Sequence, residues 1–157
     1  MFKIALSGGI ASGKTVVSDI FAELRIDIID TDVIAREVVE AGSDGLSQIV
    51  AVFGEKVLQE NGGLDRRKLR ELVFADKTKL KQLEQITHPL IQSRAKELID
   101  TSSSDYCLLV VPLLFNSPMR NWVDRILLVV VDEQLQLQRL LKRDCDSVEQ
   151  AKAIIST

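Results

Sequence analysis

Residues 8–15 read Gly8-Gly9-Ile10-Ala11-Ser12-Gly13-Lys14-Thr15, a full match to G-x-x-x-x-G-K-[ST]. No other stretch constrains the fold as tightly. Glycines let successive backbone N–H groups converge on an anion, and the dipole of a following helix favours the same charge. In such a loop Lys14 reaches the β- and γ-phosphates of a nucleoside triphosphate, and the Thr15 hydroxyl binds Mg²⁺. The chemistry works only where the loop leaves a strand and opens a helix. Phe2 to Leu6 (FKIAL) has the pattern of a short buried strand, and helical periodicity follows the loop to about Leu24. The motif therefore predicts a nucleotide site on an α/β fold.

The rest of the chain agrees with that class. Ile26 to Ile29 (IDII) reads as a second strand, ending at Asp30-Thr31-Asp32, where Thr31 or Asp32 caps a helix through Glu40. From Gly42 to Asp100 the pattern turns mostly helical, interrupted by a polar turn at Glu60-Asn61-Gly62-Gly63. Helices are expected at Asp65 to Phe74, Asp76 to Ile86 and His88 to Ile99, with His88 starting a helix ahead of Pro89. Thr101-Ser102-Ser103-Ser104-Asp105 is the clearest linker. Tyr106 to Val111 and Arg125 to Val131 are continuous apolar runs, which predict strands covered on both faces in a parallel sheet. Glu133 to Arg143 and Ser147 to Ile155 read as helices. This order predicts a parallel sheet flanked by helices, with residues 1–41 and 105–132 forming a nucleotide-binding core. Residues 42–104 are expected as a helical insert, and residues 133–157 as the helices that the resemblance given below makes a lid region and the start of a C-terminal part.

Composition narrows the function classes. The 157 residues carry 20 Lys and Arg against 23 Asp and Glu, a net charge of −3, and 46% are hydrophobic. That mix excludes a disordered or fibrous chain. It also lacks the basic stripe of a dedicated nucleic-acid binder. The longest apolar run, Cys107 to Phe115, contains Pro112 and falls far short of the ~20 residues that span a bilayer. With no signal peptide in view, a cytoplasmic protein is expected, and Cys107 and Cys145 read as free thiols.

A bound triphosphate must then be used. The chain shows no Asn-Lys-x-Asp base reader of the GTPase kind, which leaves a small kinase. A kinase needs a carboxylate to take the acceptor's proton. Asp30 and Asp32 end the second strand, on the edge a parallel sheet shares with the phosphate loop. The metal would fall to Thr15, waters and one of these two acids, while Asp132 reads as an N-cap for the helix at Glu133. Arg139 and Arg143 lie four apart on one helix face, either as lid cations over the phosphates or as a solvated face. Arg36 follows Asp32 by four, to pair with it or to reach a substrate phosphate, and Trp122 reads as packing.

Taken together these residues resemble the dephospho-CoA kinases. The matching stretches are LSGGIASGKT at 6–15, IDTDVIAREVVEAGS at 29–43, LDRRKLRELVFAD at 64–76, HPLI at 88–91, VPLLF at 111–115, DRILLVV at 124–130 and QLQRLLKRD at 136–144. The resemblance implies a P-loop kinase fold whose helical insert binds CoA, and transfer of the ATP γ-phosphoryl to the 3′-hydroxyl of dephospho-CoA with Mg²⁺. It makes Asp32 the base, with Lys14 and Arg139 also catalytic, and makes Gly8 to Thr15 and Arg143 the ATP contacts. Asp30, Asp32, Arg36, His88, Pro112, Leu113 and Phe115 would face the acceptor.

The chain departs from the family pattern at Asn116, where a Glu is usual, and at Val130, where a strand often ends in Asp. The family also runs on beyond the position of Thr157. For this chain that implies a mobile stretch from Ser147 to Thr157, weak ATP binding and slow transfer. Two other readings fit the loop: a kinase of a small sugar or nucleoside, and a nucleotide-binding fragment without catalysis. The insert is large for a small sugar, and intact Lys14, Thr15 and Asp32 argue against the idle fragment.

Overall fold

Ala5, Leu6 and Ser7 are buried one after another in strand β1 (Phe2–Gly8), the signature of a strand covered on both faces. The structure, a computed structural model, describes residues 1–143 and 147–155, with the side chains of Arg143, Ala153 and Ile154 outside that description. Asp144 and Cys145, which the sequence reading included, lie outside the described residues. The chain forms two units, Met1–Asp30 with Ser102–Thr157, and Thr31–Thr101.

In the first unit β1 leads through the glycine-rich loop into helix α1 (Lys14–Glu23) and then strand β2 (Asp27–Asp30). Helix α1 closes in a Schellman turn. Arg25 takes the left-handed conformation at φ 61°, its N–H donates to the Ala22 carbonyl at 2.9 Å, and the Ile26 N–H donates to the Phe21 carbonyl at 3.1 Å. That turn delivers Phe21 and Ile26 to the same apolar core. The next four helices, α2 (Thr31–Glu37), α3 (Asp44–Phe53), α4 (Arg66–Phe74) and α5 (Lys77–Thr101), make the second unit. The chain then returns as β3 (Tyr106–Val110), β4 (Arg125–Val129), α6 (Glu133–Arg143) and α7 (Val148–Ile155).

All four strands are parallel, in the order β2-β3-β1-β4. Leu6 and Asp30 both stand opposite Val110, and Gly8 stands opposite Val129, so the carboxyl ends of the strands share one edge. Leu6, Leu108 and Val110 form the centre of the core, with Val17 and Phe21 of α1 laid against them. The two apolar runs fare differently. Residues 107–110 of β3 are buried, as expected, whereas Ile126, Leu127 and Leu128 of β4 are 40, 37 and 49% exposed. The cause is position: β3 is flanked by two strands, and β4 ends the sheet order. Asp124 fastens the start of β4 by accepting the Lys3 N–H at 2.7 Å and returning its own to the Lys3 carbonyl at 2.8 Å.

The serine linker is more than a spacer. The Asp27 carboxylate accepts from the Ser102 hydroxyl at 2.6 Å and from the Ser103 and Ser104 N–H groups at 3.0 and 3.3 Å. The Ser102 hydroxyl foremost, and then those two N–H groups, hold the Asp27 carboxyl below its usual range. In α7, Ala151 is fully buried with Leu140 of α6. Helix α7 covers Val148–Ile155, with Ala151 and Ile155 on one helix face packed with Leu140 of α6.

The second unit has its own core of Val39, Ile49, Phe53, Val57, Leu69 and Val73. Ser43 caps α3 by accepting the Leu46 N–H at 3.1 Å, and Asp65 caps α4 by accepting from Lys68 at 3.0 Å. The polar turn falls as predicted, as a tight reversal in which Leu58 and Leu64 pair across Gln59 to Gly63. Two helices were expected over 76–99, and one continuous helix is found. Pro89 and His88 sit inside α5, so His88 does not start a helix; it is exposed, mid-helix. Proline removes one helical N–H, and the packing of α2, α3 and α4 along α5 carries the helix past that loss. Helix α2 goes with this unit because Arg94 of α5 pairs with its Glu37 at 2.9 Å and with Glu97 at 2.8 Å. The second compact unit thus runs from Thr31 to Thr101.

Candidate phosphate-binding site

Strand β1 ends at the carboxyl edge of the sheet and hands the chain to residues 9–13, which open α1. Gly13 has φ 104° and caps α1 without any side-chain hydrogen bond, at a helix end whose dipole favours an anion. Ala11 also takes the left-handed conformation, at φ 54°, which a residue with a Cβ holds only when its surroundings fix it. Gly8 is required by close approach: a Cβ there would lie 2.5 Å from the Val129 carbonyl oxygen and 2.8 Å from Ser12 Oγ.

The carbonyls of the loop are held by side-chain donors. Lys14 Nζ donates to the Gly8 carbonyl at 2.6 Å and to the Gly9 carbonyl at 2.9 Å. Gln136 Nε2 donates to the Ile10 carbonyl at 2.9 Å. One Arg139 guanidinium nitrogen donates to the Ala11 and Ser12 carbonyls at 3.0 and 3.1 Å. Ser12 is 4% exposed, and its hydroxyl is buried without a hydrogen-bond partner among the described residues. A buried polar atom in that condition is stabilised by an incoming ligand or water.

Thr15 is exposed in the first turn of α1. Asp30, at the carboxyl end of β2, stands two strand spacings from β1, roughly 10 Å at the usual sheet spacing. The segment after β3 starts on the same edge, where the Val111 N–H donates to the Leu6 carbonyl at 3.1 Å. Beyond it Leu113 and Phe115 are 73 and 56% exposed, and the Arg120 guanidinium lies 5.4 Å from the centre of the Phe115 ring. The Asp132 carboxylate accepts the Leu135 N–H at 2.8 Å, which makes it the N-cap of α6.

These residues sit in a chain whose relatives can be read directly. A sequence model of the dephospho-CoA kinases matches residues 2–157. The chain belongs to the dephospho-CoA kinase family. It is 46% identical over 156 residues to the dephospho-CoA kinase of Aeromonas hydrophila, across 99% of this chain and 76% of that protein. It is 48% identical over 157 residues to that of a Bacillus cereus strain, across 98% of this chain and 78% of the relative. Among solved structures, that of TT1252 from Thermus thermophilus superposes with a TM-score of 0.83 at 29% identity. Dephospho-CoA kinase from Campylobacter jejuni gives a TM-score of 0.69, also at 29% identity. Each comparison covers 98% of this chain and 78% of the other.

Of the family residues named from the sequence, the first unit brings together Gly8 to Thr15 and Arg139, with Asp30 and Pro112 to Phe115 on the same sheet edge. Asp32, in the first turn of α2, and Arg36 and His88 belong to the second unit, where the Arg66 guanidinium donates to the Arg36 carbonyl at 3.3 Å. Arg143 closes α6, and its side chain lies outside the described residues. Arg139, expected over the phosphates, has its guanidinium against the loop itself, at the Ala11 and Ser12 carbonyls. Gln136 was missed. Its signal is spacing, since it stands three residues before Arg139 and so shares its helix face.

Proposed function

We propose that this chain transfers the γ-phosphoryl group of ATP to the 3′-hydroxyl of dephospho-CoA, giving coenzyme A and ADP. One observation carries the reading: a phosphate loop at the carboxyl edge of a parallel sheet, in a chain matched over residues 2–157 by the dephospho-CoA kinases. The loop's N–H groups and Lys14 bind the phosphates, and the helix dipole of α1 adds to their field. Asp32 takes the proton of the 3′-hydroxyl as its oxygen bonds to the γ-phosphorus, and the bond from that phosphorus to the β,γ-bridging oxygen breaks toward ADP. Asp30 orients the acceptor or the metal. Arg36, His88, Pro112, Leu113 and Phe115 contact the acceptor, with the exposed apolar pair Leu113 and Phe115 suited to its uncharged parts. Arg139 and Arg143 are the lid cations that offset charge on the transferring group.

The donors fit Mg²⁺. Among the described residues no three His, Cys, Asp or Glu side chains gather as a metal cluster. Mg²⁺ prefers a few hard oxygens and completes its shell with waters and substrate phosphates, so the Thr15 hydroxyl and one carboxylate suffice. When bound, the ion neutralises charge on the β- and γ-phosphates. No helix of the described residues is long and apolar enough to cross a membrane. We place the protein in the cytoplasm, with small molecules as its partners and no nucleic acid.

The roles of the two acids are separable. Asp32→Asn keeps the shape and removes the proton acceptor, so kcat falls by roughly 10²–10⁴-fold while ATP binding persists. Asp30→Asn lowers kcat less and disturbs metal or acceptor placement more. Steady-state kinetics with calorimetric ATP binding on both variants checks this. A greater kcat loss in Asp30→Asn reverses the two assignments.

A further inference from the structure

A phosphate loop receives an anion when its peptide planes turn their N–H groups inward. Each planar peptide carries its carbonyl on the opposite side, so fixing the carbonyls outward fixes the N–H groups inward. In this chain the five carbonyls from Gly8 to Ser12 are all held by side-chain donors. Only Lys14 belongs to the motif. The other two donors, Gln136 and Arg139, come from α6, more than a hundred residues along the chain.

Their placement is selective. Ala11 is the residue held at φ 54°, and the two α6 side chains grip the carbonyls on either side of it, Gln136 at Ile10 and Arg139 at Ala11. A non-glycine residue keeps that conformation when its surroundings over-determine it. We propose that Gln136 is a positioning residue for ATP: by holding the Ile10 carbonyl it keeps the Ala11 N–H turned toward the phosphates. It acts through the loop and touches no substrate. The bare Cα of Gly9 leaves room for this contact, since a Cβ there would lie 2.6 Å from Gln136 Nε2. This inference rests on the reading of residues 8–15 as the nucleotide site.

Three variants of the full chain test it: Gln136→Met, which keeps length and loses the donor; Gln136→Lys, which restores a donor; and Gly9→Ala, which displaces the Gln136 carboxamide. Calorimetric ATP affinity, KM for each substrate and the melting temperature without added nucleotide are measured. Gln136→Met weakens ATP binding and raises KM for ATP roughly three- to tenfold, the value of one directed hydrogen bond. KM for dephospho-CoA and the melting temperature stay at the parent values, and Gln136→Lys recovers most of the affinity. The loss caused by Gly9→Ala shrinks in the Gln136→Met background, because both changes break the same contact. Unchanged affinity in Gln136→Met, failure of Gln136→Lys to recover it, or additive losses overturn the proposal while leaving the nucleotide site standing. A parent chain that binds no ATP overturns the nucleotide reading, and the proposal with it.

Discussion

Lys14 has two tasks that meet in one ammonium group. It holds the Gly8 and Gly9 carbonyls at 2.6 and 2.9 Å, and the proposed function also gives it a phosphate to bind. A compact, strongly hydrated point charge with three donors suits both tasks, and the planar fork of an arginine suits neither. Lys14→Ala therefore loses on the order of 10²-fold or more in phosphoryl transfer, the usual cost of one positioned charge at such a centre. Lys14→Arg does not restore it. ADP release measured on variants whose circular dichroism matches the parent checks this, and near-normal turnover in Lys14→Ala removes the loop from the chemistry. At this scale the sequence is informative wherever the site is contiguous. Residues 8–15 declare themselves because one short segment supplies glycines, lysine and hydroxyl together. Gln136 does not, because a glutamine in a polar helix face looks like solubility until the fold lays α6 on the loop.

Elements were legible when their pattern was local. The runs that became β1, β3 and β4 announced a parallel sheet, and Ser43 and Asp65 sit where caps are needed. Two misreadings have physical causes. Pro89 signals a break, but α5 has three helices packed along it and continues. The apolar run of β4 signals burial on both faces, but apolar content does not encode a strand's place in the sheet order. The α2–α3 connection shows the same limit in energetic terms. Gly45 lies in the first turn of α3, where a Cβ would be driven into the Val38 carbonyl and against Leu90. That carbonyl cannot easily yield, because it accepts the Ser43 hydroxyl at 3.0 Å. Helix propensity alone makes Gly45→Ala stabilising by ~1 kcal/mol. The contact reverses the sign, to a loss of about 1–3 kcal/mol from overpacking. Urea unfolding decides between them, and a stabilised Gly45→Ala variant would show that α3 does not approach Val38 this closely.

The whole molecule divides the labour between two units with separate cores. The phosphate loop, Asp30, Arg139 and the segment after β3 belong to the unit built on the sheet, while Asp32, Arg36 and His88 belong to the helical one. That division explains why the sequence reading succeeded for the fold class and left the acceptor side as family inference. The nucleotide half rests on one motif and one sheet edge, whereas the residues proposed for the acceptor are scattered along the sequence. The chain spans 76–78% of the relatives it matches, and the matched portion includes every residue assigned a role here. The central claim is that this chain moves phosphate from ATP to dephospho-CoA. It is tested most directly by following ADP release with ATP and Mg²⁺ present, before and after dephospho-CoA is added, and identifying the product by mass. The account predicts release that depends on dephospho-CoA, yields coenzyme A in equal amount, and is lost in Asp32→Asn. ADP release at the same rate with and without dephospho-CoA, or no coenzyme A formed, would contradict it.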